Sequence, residues 1–151
     1  MHNLFMKAAI KEAYLGITSN HGGPFGSVIV KNNRIVGRGH NCVIKETDPT
    51  QHGEIVAIRD ACKFLSTIDL SDCILYTTAE PCPMCLGAIL WSGIKKVYYG
   101  CNKLDTENIG FRDNLFYEQI QKKELNINEF NRESCLELFK NYTSMDNKSL
   151  Y

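Results

Sequence analysis

The 151-residue sequence carries no excess of either charge: 17 Lys and Arg stand against 17 Asp and Glu. That balance removes the basic footprint with which nucleic-acid-binding domains attract phosphates, although it does not by itself exclude such a partner. No apolar run approaches the roughly 18–20 residues that a membrane-spanning helix needs. The opening MHNLFMKAAIKEAY mixes charges among its apolar residues, so it reads as an amphipathic helix and not as a signal peptide. Repeats, low-complexity tracts and linker-like stretches are also missing. A single domain over 1–151 is therefore expected, long enough to bury a core without covalent staples. Seven cysteines, an odd number without an export signal, argue against a secreted disulfide scaffold. They fit a reducing, cytoplasmic setting in which some thiols serve a metal and the rest are buried.

What is present alternates between helix and strand signals. Phe5, Ala9, Ala13 and Ile17 share one helical face, as do Met6, Ile10 and Tyr14. After Gly22-Gly23-Pro24 come GSVIVK and RIVGRGH, two β-rich runs around Asn32-Asn33, which predict a hairpin. Ile55, Ile58, Cys62 and Leu65 recur at helical spacing; DCILYTT (72–78) and KKVYYG (95–100) read as strands. A short helix over 113–120, a weaker strand at 124–128 and a last helix marked by Cys135, Leu138, Phe139 and Tyr142 complete the pattern. One α/β domain with helices on both faces of the sheet accounts for it.

The chemistry concentrates in two stretches, DPTQHGEIVAI and TTAEPCPMCLGAILW. Pro83 suits the first turn of a helix, where its missing N–H has no intrahelical partner anyway. Cys82 and Cys85 then project from a strand-to-helix junction, where the positive helix end favours thiolate. The Cys-x-x-Cys spacing lets both sulfurs reach one tetrahedral zinc ion. Two ligands are too few, and His52, at the start of another helix, supplies a third. Two thiolates and one imidazole leave a fourth position for water, whose pKa a zinc ion lowers to about 7. Glu54, two residues past His52, is set to move that water's proton and not to bind the metal. Alone, a Cys-x-x-Cys pair is equally a structural half-site or a redox pair, and Cys62, Cys73 and Cys101 read as buried filler. A redox pair leaves Pro81 and the His-x-Glu unexplained, and a structural site has no use for a carboxylate beside its ligand.

Together, His52, Glu54, Pro81, Cys82 and Cys85 match the H-x-E and P-C-x-x-C signature of zinc deaminases. From about residue 4 onward the chain resembles the cytidine deaminase superfamily, and within it the bacterial guanine deaminase branch. The resemblance runs through GGPFGSVIVK, GHNCV, DPTQHGEIVAIRDAC, CILYTTAEPCPMCLGAILW and IGFRDNLFYEQI to a tail ending in Tyr151. It implies a three-layer α/β/α domain on a five-stranded mixed sheet ordered 2-1-3-4-5, with one zinc ion per subunit. It also implies a homodimer exchanging C-terminal segments, here 131–151. By the same resemblance Asn41 hydrogen-bonds the base, Asp113 takes its amidine-like edge and Tyr151 covers the partner's pocket. An acceptor at Asp113 suits guanine, whose N1–H and 2-amino group are donors. Phe25 and Trp91 offer aromatic faces for the purine. Bland readings stand beside these: Asn41 as a turn residue, Asp113 as a helix cap, Phe25 and Trp91 as core. Gly53 departs from the family's commoner alanine between the ligand and Glu54.

The expected reaction is hydrolytic deamination of a purine base, guanine to xanthine and ammonia, in purine catabolism or salvage, without an organic cofactor or a membrane. The same zinc motif serves tRNA adenosine deaminases, so tRNA stays open as a partner, as do guanosine and cytidine as small substrates. A zinc-stabilised scaffold without activity is the reading from outside the enzymes.

Overall fold

A computed structural model describes residues 2–122 and 127–146. In chain order its elements are α1 (His2–Thr18), β1 (Gly26–Lys31), β2 (Arg34–His40), α2 (Val43–Glu46), α3 (Gly53–Leu65), β3 (Ile74–Ala79), α4 (Pro83–Trp91), β4 (Lys96–Cys101), α5 (Lys103–Asn108), α6 (Asp113–Lys122) and α7 (Arg132–Ser144). The chain divides into two compact units, Met1–Glu118 with all four strands and Gln119–Tyr151 with the end of α6 and α7.

The hairpin forms as the Asn-Asn turn predicts. Asn32 and Asn33 both have positive φ, 49° and 61°, the pair of conformations that a two-residue turn matching strand twist demands. β1 is antiparallel to β2 on one side and to β3 on the other, and β3 runs parallel to β4, giving the mixed order β2-β1-β3-β4. This is the expected order without its last member. The segment 124–128, expected to supply the fifth strand, is described only at 127 and 128, and neither is in a strand. α2 and α5 have no counterpart in the sequence reading; each is too short to show a helical period.

β1 is buried along nearly its whole length because both of its faces are covered. Val28 and Val30 point to one side, packing with Ala9 of α1 and Tyr76; Ile29 points to the other, packing with Ala57 and Ala61 of α3, Leu75 and Ile89 of α4. Strand period two thus separates two cores, and the expected three layers follow.

The layer holding α3 sits unusually close to the sheet. A methyl group at Gly39 would run into the backbone of Gly53 and Ala57, so the start of α3 lies directly on β2. Gly39→Ala is expected to destabilise the fold by about 1–3 kcal/mol through overpacking, measured as a lowered urea midpoint. An unchanged midpoint would show that α3 does not rest on this contact.

Candidate metal centre and active site

His52 and Cys82 occupy equivalent places on two helices. His52 is the N-cap of α3 (φ −72°, ψ 155°) and Cys82 the N-cap of α4 (φ −68°, ψ 169°), with Pro83 as the first helical residue. N-cap side chains ordinarily accept a hydrogen bond from their own helix. Neither of these does; both turn outward to each other. Nδ1 of His52 lies 3.6 Å from Sγ of Cys82 and 3.6 Å from Sγ of Cys85. Zinc–sulfur bonds of about 2.3 Å and zinc–nitrogen bonds of about 2.0–2.1 Å give a tetrahedral S···N edge of about 3.6 Å. All three ligand atoms fall within 4.8 Å of one another, and the two sulfurs are buried. The donor set therefore fits one zinc ion in number, type and spacing.

Charge is tightly coupled here. The Cys82 thiol is lowered to about 4, chiefly because Cys85 donates to it, with His52 adding to the effect and burial opposing it. The Cys85 thiol is raised, by its bond to Cys82 first and by burial next. The bond to Cys82 also raises His52. Left to themselves the sulfurs hold one proton between them; a dication at their centre takes both as thiolates. Glu54 is 5% exposed, and burial pushes its carboxyl up to about 7. A carboxyl poised there both accepts and returns protons near neutral pH, which general acid–base catalysis requires.

Gly53 joins this pair to the pocket wall. A methyl group at 53 would stand 3.0 Å from the Phe25 carbonyl oxygen, so glycine relieves a tight contact between α3 and the strand entering β1.

The remaining expected residues divide. Asn41 is 4% exposed at the end of β2; its N–H donates to the Phe25 carbonyl at 2.8 Å, and its Oδ1 accepts from the Val43 N–H at 3.1 Å. It thus fulfils the turn role and keeps its amide NH2 for other use. Asp113 opens α6, half-buried; desolvation first and the charge of Cys82 next raise its carboxyl, and His52 lowers it. Those couplings tie Asp113 electrostatically to Cys82 and His52. Phe25 is half-buried and meets Phe111 edge-on, centroids 4.8 Å apart at 83°. Trp91 ends α4, about 12 Å along the axis from Pro83, and is 74% exposed. Tyr151 lies outside the described residues.

Two neighbours escaped the sequence reading. Phe111 backs Phe25, and the Tyr117 hydroxyl donates to the Pro81 carbonyl at 2.8 Å, tying α6 to the residue before Cys82. The signal for Tyr117 was available, since it follows Asp113 by four residues and shares its helix face.

Residues 1–101 match the model of the cytidine and deoxycytidylate deaminase zinc-binding region. The chain is 49% identical over 121 residues to guanine deaminase of Bacillus subtilis (strain 168), across 80% of this chain and 78% of that one. The crystal structure of guanine deaminase from Bacillus subtilis superposes with a TM-score of 0.93 at 41% identity, covering 100% of this chain and 99% of the other. A tRNA:A34 deaminase that performs A-to-I editing at the wobble position superposes at 0.64 with 37% identity, covering 67% of this chain and 77% of its own. Elemental analysis of purified protein is expected to give one zinc per chain, falling toward zero in Cys82→Ala and His52→Ala; retention in both variants would remove these residues from the site.

Proposed function

The chain belongs to the cytidine and deoxycytidylate deaminase family, and from that membership we propose that it hydrolyses guanine to xanthine and ammonia. It is a zinc-dependent hydrolytic deaminase. The observation that carries the substrate is the 49% identity to guanine deaminase of Bacillus subtilis; Asp113, a carboxyl electrostatically coupled to Cys82 and His52, supports it. Guanine, with N1–H and a 2-amino group side by side, gives such an acceptor two donors.

His52, Cys82 and Cys85 would hold the zinc ion. Bound there, it supplies a water acidic enough to act as nucleophile at neutral pH and a positive charge at the reacting carbon. Glu54 accepts the proton of the water that attacks C2 and passes it to the ring nitrogen beside C2. Glu54 then takes the remaining hydroxyl proton from the C2 adduct and delivers it to the amino group, which leaves as ammonia as the C–N bond breaks and the C2 carbonyl forms. Burial supports both tasks, because a carboxyl raised to about 7 exchanges protons at little cost near neutral pH. Asn41 donates its amide N–H to a purine acceptor, Phe25 offers its ring to the base face, and the edge-on ring of Phe111 steadies Phe25.

In this reading all of 1–151 acts as one deaminase domain that pairs with a second copy, exchanging 131–151 so that Tyr151 closes the partner's pocket. α7 supports exchange with the exposed side chains of Leu138 and Phe139, an apolar row that a partner would cover. No helix among the described residues is long and apolar enough to cross a membrane, and all seven cysteines are free thiols, in keeping with the cytoplasm. Adenosine deamination in tRNA is the second reading, favoured by likeness to the wobble-position enzyme and disfavoured by the balanced charge.

Ammonia release from guanine, guanosine, adenine, cytosine, cytidine and a tRNA anticodon arm is expected for guanine alone. Glu54→Gln should lower that rate by about 10²–10⁴-fold while keeping its zinc. Turnover of the anticodon arm in place of guanine would overturn the substrate, and an active Glu54→Gln the mechanism.

A further inference from the structure

Away from the zinc ligands two further histidines meet. His21 lies in the loop between α1 and β1, and His40 ends β2. Nδ1 of His21 is 2.8 Å from Nε2 of His40, and the rings are nearly coplanar, 18° apart, with centroids separated by 5.1 Å. That separation is the contact distance plus a ring radius at each end, so the facing nitrogens point at each other along one line. Such a pair shares one proton, one nitrogen donating and the other accepting. On its other side, Nδ1 of His40 stands 3.5 Å from Oε2 of Glu12, whose Oε1 is held by Arg38 at 3.2 Å. A carboxylate only accepts, so the tautomer of His40 that suits this neighbour has its proton on Nδ1; its Nε2 then offers a lone pair, and Nδ1 of His21 is the donor.

The surroundings are shaped for this contact. Gly16, a residue that weakens a helix relative to alanine, leaves the space that the His40 ring fills; a methyl there would lie 2.8 Å from His40 Cδ2. The His21 carbonyl accepts from the N–H groups of Ile44 and Lys45 at 3.0 and 3.1 Å, so the residue is fastened by backbone as well as ring. Gly22, beside His21, abuts Asn41, beside His40, so closely that any Cβ at 22 would overlap Asn41 Oδ1. The histidine pair therefore stands directly behind Asn41 and the loop leading to Phe25.

We propose that His21 and His40 are positioning residues for deamination: their shared-proton hydrogen bond fastens the 21–25 loop to the end of β2, holds Asn41 and Phe25 toward the purine, and opens when both rings are protonated. The inference rests on the purine-base reading above. One added proton is tolerated, since His40 can then donate to a lone pair on His21 Nδ1; a second sets two N–H groups against each other. Glu12 of α1, with Arg38 of β2 beside it, faces His40; His40 itself, with Lys45 and Glu46 of α2, faces His21. Burial first, then His40 and Lys45, lower His21, with Glu46 opposing. Release therefore falls below the ordinary imidazole value of about 6.5. Cys42 joins the two imidazoles in a group whose ligand atoms lie within 4.8 Å. Nitrogens that meet head-on at 2.8 Å nevertheless share a proton, one lone pair accepting it, and do not converge on an ion.

The test uses the full-length, zinc-loaded protein. His21→Ala is expected to raise KM for guanine roughly three- to tenfold, the loss of one positioning hydrogen bond, with kcat held within about twofold. His21→Asn, whose amide N–H substitutes for Nδ1–H without titrating, should restore KM. It should also abolish the acid rise in KM that the wild type shows below the ordinary imidazole range. Nitrogen-15 spectra should show a coupling between His21 Nδ1 and His40 Nε2 at neutral pH that vanishes in that acid range. An absent coupling, an unmoved KM in His21→Ala, or a second zinc per chain lost in that variant would each overturn the proposal. If guanine is not turned over at all, the substrate reading fails by itself. The KM comparison is then made on whichever base of the panel is turned over, and the coupling decides the fastener either way.

Discussion

Two helices must begin within the width of one metal ion. α3 and α4 come from distant parts of the chain, yet the imidazole at one start and the sulfurs at the other stand 3.6 Å apart. Much of the surrounding structure serves that meeting. Gly39 lets α3 rest on β2 without an intervening side chain, and Gly53 lets its first turn slide under the Phe25 carbonyl. β3 delivers the chain to Pro81, and Pro83 starts α4 at once, leaving Cys82 extended at the cap. The ordinary cap hydrogen bond is given up at both helix starts, and a bound cation returns the lost stabilisation.

Burial of the carboxylate follows from the same arrangement. Glu54 sits one residue inside α3, so a helix pressed against the sheet carries it into the interior with its ligand neighbour. The groups around it are the thiols, the imidazole and the helix end, and water is largely kept out. The raised pKa is thus a by-product of how the metal ligands are assembled and needs no separate device.

What could be read from sequence was local. His52, Glu54, Cys82 and Cys85 declare themselves because spacing on a single helix start fixes both residue type and direction, and Asn32-Asn33 declares the hairpin because few residues accept two positive φ angles. Trp91 is a different case: its nearness to the motif in sequence does not fix its place, because α4 separates it from Pro83 by its whole length. Phe111 and the His21–His40 pair were invisible for the contrary reason, since each depends on loops and strands that meet only after folding. Asp113 lay between. Its motif was plain, and its electrostatic tie to the zinc ligands needed the tertiary structure.

The bond from the Tyr117 hydroxyl to the Pro81 carbonyl joins α6 to the turn before Cys82. Asp113 and Tyr117 ride on one rigid segment, one turn apart. The peptide plane before Cys82 therefore cannot turn without disturbing α6, so the placing of the first cysteine of the Cys-x-x-Cys pair and the seating of α6 are one variable and not two.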